Sequence, residues 1–195
     1  MPLKNMSFSR RSLLSLMAGS AGASFAQTIA PPSANIGFKA DTMPERSECG
    51  IGALMPWADA LWAVTYNSHM QGTGYGLGLY RIDENLKCDR VHVHNGTHAN
   101  RLIHKESNQC FIGPYVIDAQ GNWKHIPEFD KHRITSTMRH LTDPANRVYF
   151  QTMEGVFGEM DVHDLKPRPI VELVKQMGLA KRPHFKGGFT AQGRV

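Results

Sequence analysis

Cysteine is scarce. Cys49, Cys88 and Cys110 are the three in the chain, with no CxxC pair and no haem-attachment motif, so redox chemistry has no direct support. Long apolar runs are missing too. The stretch Leu13 to Ala23 is too short, and too rich in Gly and Ala, to span a bilayer permanently. No segment interleaves Lys and Arg with aromatics, which argues against a nucleic-acid face. No two acids stand at a spacing that suggests paired-carboxylate catalysis. Glu106, Asp118, Glu154 and Asp161 meet only if the fold gathers them.

What the N-terminus does carry is an address. Ser9-Arg10-Arg11-Ser12-Leu13-Leu14 sets paired arginines before the apolar stretch, and Ser24-Phe25-Ala26 ends like a signal-peptidase site. Residues 1–26 therefore read as an export signal of twin-arginine type, with a retained N-terminal anchor as the alternative. Residues 27–48, which include Ala30-Pro31-Pro32-Ser33, read as a linker, and 49–195 as the folded domain. The expected location is periplasmic or secreted, with no stable membrane anchor and no nucleic-acid partner; the oligomeric state is left open. Residues 1–26 hold Lys4, Arg10 and Arg11 and no acid, so their removal takes the formal charge from +5 to about +2. An exported chain can oxidise its thiols. The three cysteines allow one disulfide with a thiol left over, or three small buried residues, and spacing does not choose.

The rest reads as β. Leu61–Tyr66, Gly76–Asp83, Arg90–His94, Trp123–Ile126, Arg147–Thr152 and Val156–Val162 are short strand-like runs, and Cys110–Ile117 is the most apolar. Turn signals separate them at Glu84-Asn85, Ala119–Asn122 and Asp143–Asn146. A weak repeat runs through them. Leu79–Asp83, Tyr115–Asp118 and Phe157–Asp161 each end a strand in Asp, recurring after 35 and then 43 residues. Ahead of them lie the apolar strands Leu61–Tyr66, Cys110–Gly113 and Val148–Thr152. A unit of two to four strands recurring at about 40 residues is the signature of a propeller blade. The expected fold class is all-β, a β-propeller of which about three blades are present. The final segment, Lys186–Val195, looks like a turn entering a new strand, so the chain is expected to be an N-terminal fragment of a longer propeller. One helix is expected, Ile170–Met177, stopped by Gly178.

The most informative segment is Gly96-Thr97-His98-Ala99-Asn100-Arg101-Leu102-Ile103-His104-Lys105-Glu106-Ser107. It packs two histidines, an arginine, an asparagine and a glutamate at the mouth of the run Cys110–Asp118. It also carries a resemblance. Gly-Thr-His-Ala-Asn-Arg at 96–101, Ile-His-Lys-Glu-Ser at 103–107 and Ile-Gly-Pro-Tyr-Val-Ile-Asp at 112–118 resemble secreted bacterial seven-bladed β-propellers. So do Arg139–Pro144, Tyr149–Glu154 and Gly187–Val195, so the likeness covers roughly residues 50–195. Characterised members of that family are α-L-rhamnosidases, which remove rhamnose capping glucuronic acid in gum-arabic-type arabinogalactan. Others are inactive or have no assigned activity. The resemblance implies a glycan substrate and a histidine, instead of a carboxylate pair, as the catalytic group.

Two histidines are candidates for that role, His98 and His69. An imidazole near its ordinary pKa serves as acid or base at neutral pH, and each is equally readable as a hydrogen-bonded loop histidine. Arg101 and Arg139 suit a uronate carboxylate, which a guanidinium meets with two parallel donors; the competing reading is an ion pair with Glu106 or Asp143. Asn100, His104, Tyr115 and His140 complete the candidate substrate contacts. Tyr66, Tyr115 and Trp57 suit stacking on sugars or, more simply, the core. No cofactor is assigned, although His92 and His94, two apart on a strand, could join His98 and His104 in a three-nitrogen metal site. The expectation is a glycoside hydrolase-like propeller acting on a uronic-acid-containing glycan. Its competitors are a lyase on the same uronate, a non-catalytic glycan- or protein-binding propeller, an inactive fragment, and a metal or redox propeller.

Overall fold

Alternation of apolar and polar residues, broken by Asp- and Gly-containing turns, folds the chain into short antiparallel strands. The computed structural model describes residues 49–67, 77–181 and 183–195; residues 1–48, read above as an export signal and linker, and His69 lie outside the described residues. The strands are β1 (Cys49–Trp57), β2 (Ala60–Asn67), β3 (Leu77–Ile82) and β4 (Cys88–His94); β5 (Arg101–His104), β6 (Gln109–Ile112), β7 (Tyr115–Asp118) and β8 (Trp123–His125); and β9 (Ile134–Arg139), β10 (Arg147–Thr152), β11 (Val156–Asp161) and β12 (Pro167–Glu172). They form three four-stranded sheets, each an antiparallel meander in chain order: A (β1–β4), B (β5–β8) and C (β9–β12). The all-β expectation holds. Among the described residues no helix is long and apolar enough to cross a membrane.

The sequence repeat maps onto the two middle strands of each sheet: β2 and β3, β6 and β7, β10 and β11. Its recurring aspartate has one structural task. Oδ1 of Asp83 accepts from the backbone N–H of Asn85 and Lys87, Oδ1 of Asp118 from Gln120 and Asn122, and Oδ1 of Asp161 from His163 and Asp164. Each closes the turn from the third strand of its sheet into the fourth. These bonds hold the Asp118 and Asp161 carboxyls below the usual carboxylate range; the Asn122 side-chain amide is the largest cause for Asp118, and the His163 N–H for Asp161.

Sheet B is packed on both faces, which explains why Cys110–Ile117 is so apolar. Cys110, Ile112, Tyr115 and Ile117 face sheet A, where they meet Ala53, Trp62, Val64 and Leu79. Phe111 and Val116 face sheet C, where they meet Ile134, Val148, Phe150 and Met160. The run is a hairpin and not one strand. Gly113, with φ +55°, and Pro114 turn it so that Ile112 pairs with Tyr115. A Cβ at Gly113 would lie 2.9 Å from Val64 Cγ1, so the turn also sets how closely B approaches A.

Two further expectations are corrected. The helix is only Leu173–Gln176, because the β-branched Ile170 and Val171 continue β12 with Glu172, Val171 pairing with Phe157. Gly178, at φ +61°, does stop it. Lys186–Val195 enters no strand: residues 183–190 have no regular structure, and an isolated bridge pairs Ala191 with Arg194. Cys88 and Cys110 are free thiols, and burial pushes both up, Cys110 to about 12, so neither is a ready nucleophile.

Candidate functional site

The first strands of sheets A and C and the link that leads into β5 gather around a cleft of about 310 Å³. Ile51 and Gly52 of β1, Tyr66 of β2, Thr97 and Ala99 of the link into β5, Ile134 and Thr135 of β9, Met153 and Lys186 line it. The link is clamped between its neighbours: the N–H groups of Thr97 and Ala99 donate to the carbonyls of His132 and Ile134 at 3.2 and 2.9 Å. On the other side, a Cβ at Gly52 would lie 1.9 Å from the His98 carbonyl oxygen, so only glycine permits that approach. Lys186 is exposed, its Nζ lies 4.0 Å from Met153 Sδ, and it pairs with no carboxylate among the described residues. At the rim, Arg133 and Glu154 form a close ion pair.

The candidate residues of the polar run do not share this opening. His98 alternates with Thr97 and Ala99 and turns its ring away, fully buried, with Nε2 3.0 Å from the Asn95 carbonyl. Burial, with His94 beside it, holds its pKa well below the ordinary histidine value. Asn100 is buried as well: its amide donates to the Gly113 carbonyl and to Thr137 Oγ1, both at 2.9 Å, joining sheet B to sheet C. Arg101 is exposed at the start of β5, two residues beyond the cleft wall.

His104 and His140 occupy matching places, at or just after the last residue of β5 and of β9, the ends opposite those near the cleft. Nδ1 of His104 accepts from the Ser107 N–H at 3.2 Å, and Nδ1 of His140 from the Asp143 N–H at 3.0 Å, three residues on in both cases. The other nitrogen donates across the fold, from His104 to the Pro144 carbonyl and from His140 to Glu159. Arg139 pairs with Glu106, the competing reading of that arginine. Glu106 is held below the usual carboxylate range by its own backbone N–H first and by Arg139 after it.

Tyr115 is fully buried between sheets A and B at the centre of a second cluster. Its OH lies 3.0 Å from His92 Nδ1, and the rings of His92, His94, Trp123 and His125 surround it at 4.8–5.8 Å of one another or of Tyr115. Nε2 of His125 meets Asp130 Oδ1 at 2.9 Å. Among the described residues no three His, Cys, Asp or Glu side chains converge as metal ligands, and His104 faces Pro144 instead of joining His92, His94 and His98. Trp57 belongs to the core, donating Nε1–H to the Asp118 carbonyl.

Sequence reasoning missed Lys186, Thr97 and Thr135 as cleft residues. None carries a pattern of its own; they are neighbours only because the first strands converge. Tyr66 was legible as an aromatic at a strand end. No family model matches the chain, and none of the curated proteins compared with it matches.

Proposed function

We propose that the three sheets are consecutive blades of a β-propeller, exported by the twin-arginine-type signal, and that the cleft binds an acidic glycan. The observation that carries the reading is the cleft itself: it lies where the first strands of sheets A and C meet the link into β5, and it presents a cation with no described carboxylate partner beside an aromatic ring. Lys186, with Arg101 near the wall, meets a uronate carboxylate, and Tyr66 offers a sugar-stacking face. The resemblance to rhamnose–glucuronate-acting propellers supports the same substrate class.

Hydrolysis is the second reading; the resemblance, which implies a histidine as the catalytic group, supports it. The ring of His98, fully buried and turned from the cleft, cannot touch a ligand there in this conformation, so hydrolysis falls to His69. Calorimetry with gum-arabic-type arabinogalactan, before and after chemical reduction of its uronate carboxyls, tests the binding reading. Binding to the native glycan, lost on carboxyl reduction and weakened about 5-fold or more by Lys186→Ala, is expected. No heat with either glycan sinks it. Release of rhamnose that disappears in His69→Ala establishes the hydrolytic reading, and binding without release leaves a lectin-like module.

A further inference from the structure

The link that joins sheet A to sheet B, residues 95–100, is held from inside by two histidines. Nδ1 of His94 and Nε2 of His98 both lie 3.0 Å from the carbonyl oxygen of Asn95. A carbonyl only accepts, so each ring donates its one N–H there and keeps a lone pair on its other nitrogen. Those other atoms, His94 Nε2 and His98 Nδ1, are buried and have no hydrogen-bond partner among the described residues. The two rings are 5.2 Å apart, and the residues are 1% and 0% exposed.

A proton on either free nitrogen would be a buried N–H without an acceptor, on a charge next to a second imidazole. The surroundings do little to offset it. The titratable groups facing the pair are His92 from β4, Tyr115 from β7, His125 from β8, Asp130 from the 3₁₀ turn Pro127–Lys131 and His132 from the link into β9. Asp130 is the carboxylate of that set, and it is already bonded to His125.

We propose that His94 and His98 form an acid-operated latch on the cleft: neutral, they hold the 95–100 link shut, and on protonation the link leaves its seat and carries the Thr97–Ala99 wall with it. Geometry makes the coupling direct. The wall residues flank His98, and the same link is bonded to β9 and pressed against β1. The latch rests on this packing and not on the identity of the glycan.

The sign follows from linkage. Burial lowers the His94 pKa from 6.5 to about 4 and holds that of His98 well below its ordinary value. The closed state therefore binds fewer protons than the open one, and its advantage is complete above about pH 6.5 and is lost as pH falls toward the closed-state values. At about pH 5 His94 alone favours opening by about 30-fold relative to neutral pH.

Hydrogen exchange of the full chain at about pH 7.5 and about pH 5, corrected for the intrinsic chemical rate, reads the latch. Protection of the 95–100 amides is expected to fall at least about tenfold in acid while β10 and β11 keep theirs. His94→Asn and His98→Gln each retain an N–H for the Asn95 carbonyl without titrating; each alone is expected to keep the neutral protection and weaken the acid response, and the two together to abolish it. Should those variants not fold, carbon-13 titration of the wild-type imidazoles decides: both rings are expected to take up protons only as the link opens. Protection that changes less than about threefold, equal loss in β10 and β11, a double variant that still responds, or imidazoles that titrate near 6.5 with the link closed would each overturn the proposal.

Discussion

Asn100 shows how much one polar side chain can organise. It is 1% exposed, and its amide reaches the Gly113 carbonyl in the turn of sheet B and Thr137 Oγ1 in the first strand of sheet C. Neither group has easy access to water, so truncation leaves both without a partner. Asn100→Ala is expected to cost about 1–3 kcal/mol in urea unfolding, and Asn100→Asp more, because a carboxylate has no N–H for the Gly113 carbonyl and would be a buried charge. An unchanged urea midpoint in Asn100→Ala would show that the bridge is incidental. His104 makes a related case. Its Nδ1 takes the Ser107 N–H and its Nε2 gives to Pro144, so His104→Asn, which keeps an acceptor at the first point only, is expected to destabilise less than His104→Ala. Thermal midpoints ordered wild type, Asn, Ala check this; Asn no better than Ala refutes the turn-capping part.

At the scale of the element, pattern reasoning finds all the inner strands but, of the edge strands, only β4 and β8. β2, β3, β6, β7, β10 and β11 have neighbours on both edges and each puts side chains into a buried cluster, so their sequences are apolar and alternating. β1, β5, β9 and β12 are edge strands, and each hides its identity differently. β5 reads Arg-Leu-Ile-His and β9 Ile-Thr-Ser-Thr-Met-Arg, polar because they border the cleft or bond across sheets. β12 carries Pro167 and Pro169, which resemble a loop in sequence but suit a free edge. The candidate site was legible to the same partial degree. The 96–107 run was singled out as a candidate acid–base and sugar-binding segment, but its alternation, with Thr97 and Ala99 toward the cleft and His98 away, depends on a clamp between β1 and β9 that no local pattern encodes. The edge prolines make a prediction of their own. Pro167→Val with Pro169→Val restores two donors and raises β propensity on an exposed edge, so the double variant is expected to self-associate at concentrations where the parent is monodisperse. Light scattering checks it, and equal scattering from both proteins would mean the prolines do not guard that edge.

Across the whole molecule the three sheets are stacked in chain order, with sheet B as the shared partner. That makes stability a sum of sheet terms and two interface terms, and predicts that the interfaces can be loosened one at a time. Strand β7 offers adjacent residues for the comparison: Ile117 is fully buried toward sheet A, and Val116, 3% exposed, faces sheet C. Ile117→Ala is expected to cost about 2–5 kcal/mol, and Val116→Ala on the order of 2 kcal/mol, through lost burial plus the cavity each leaves. The distribution of the damage is more informative than its size. Ile117→Ala should raise native-state hydrogen exchange in β2 and β3 and spare β10 and β11, whereas Val116→Ala should do the reverse, because each interface is shared by B and only one neighbour. The hydrophobic clusters support that separation: one joins A to B, the other B to C, and no buried residue belongs to both. Uniform loss of protection in both variants would mean that the sheets unfold as one cooperative unit, and the sheet-by-sheet account of stability would then be wrong.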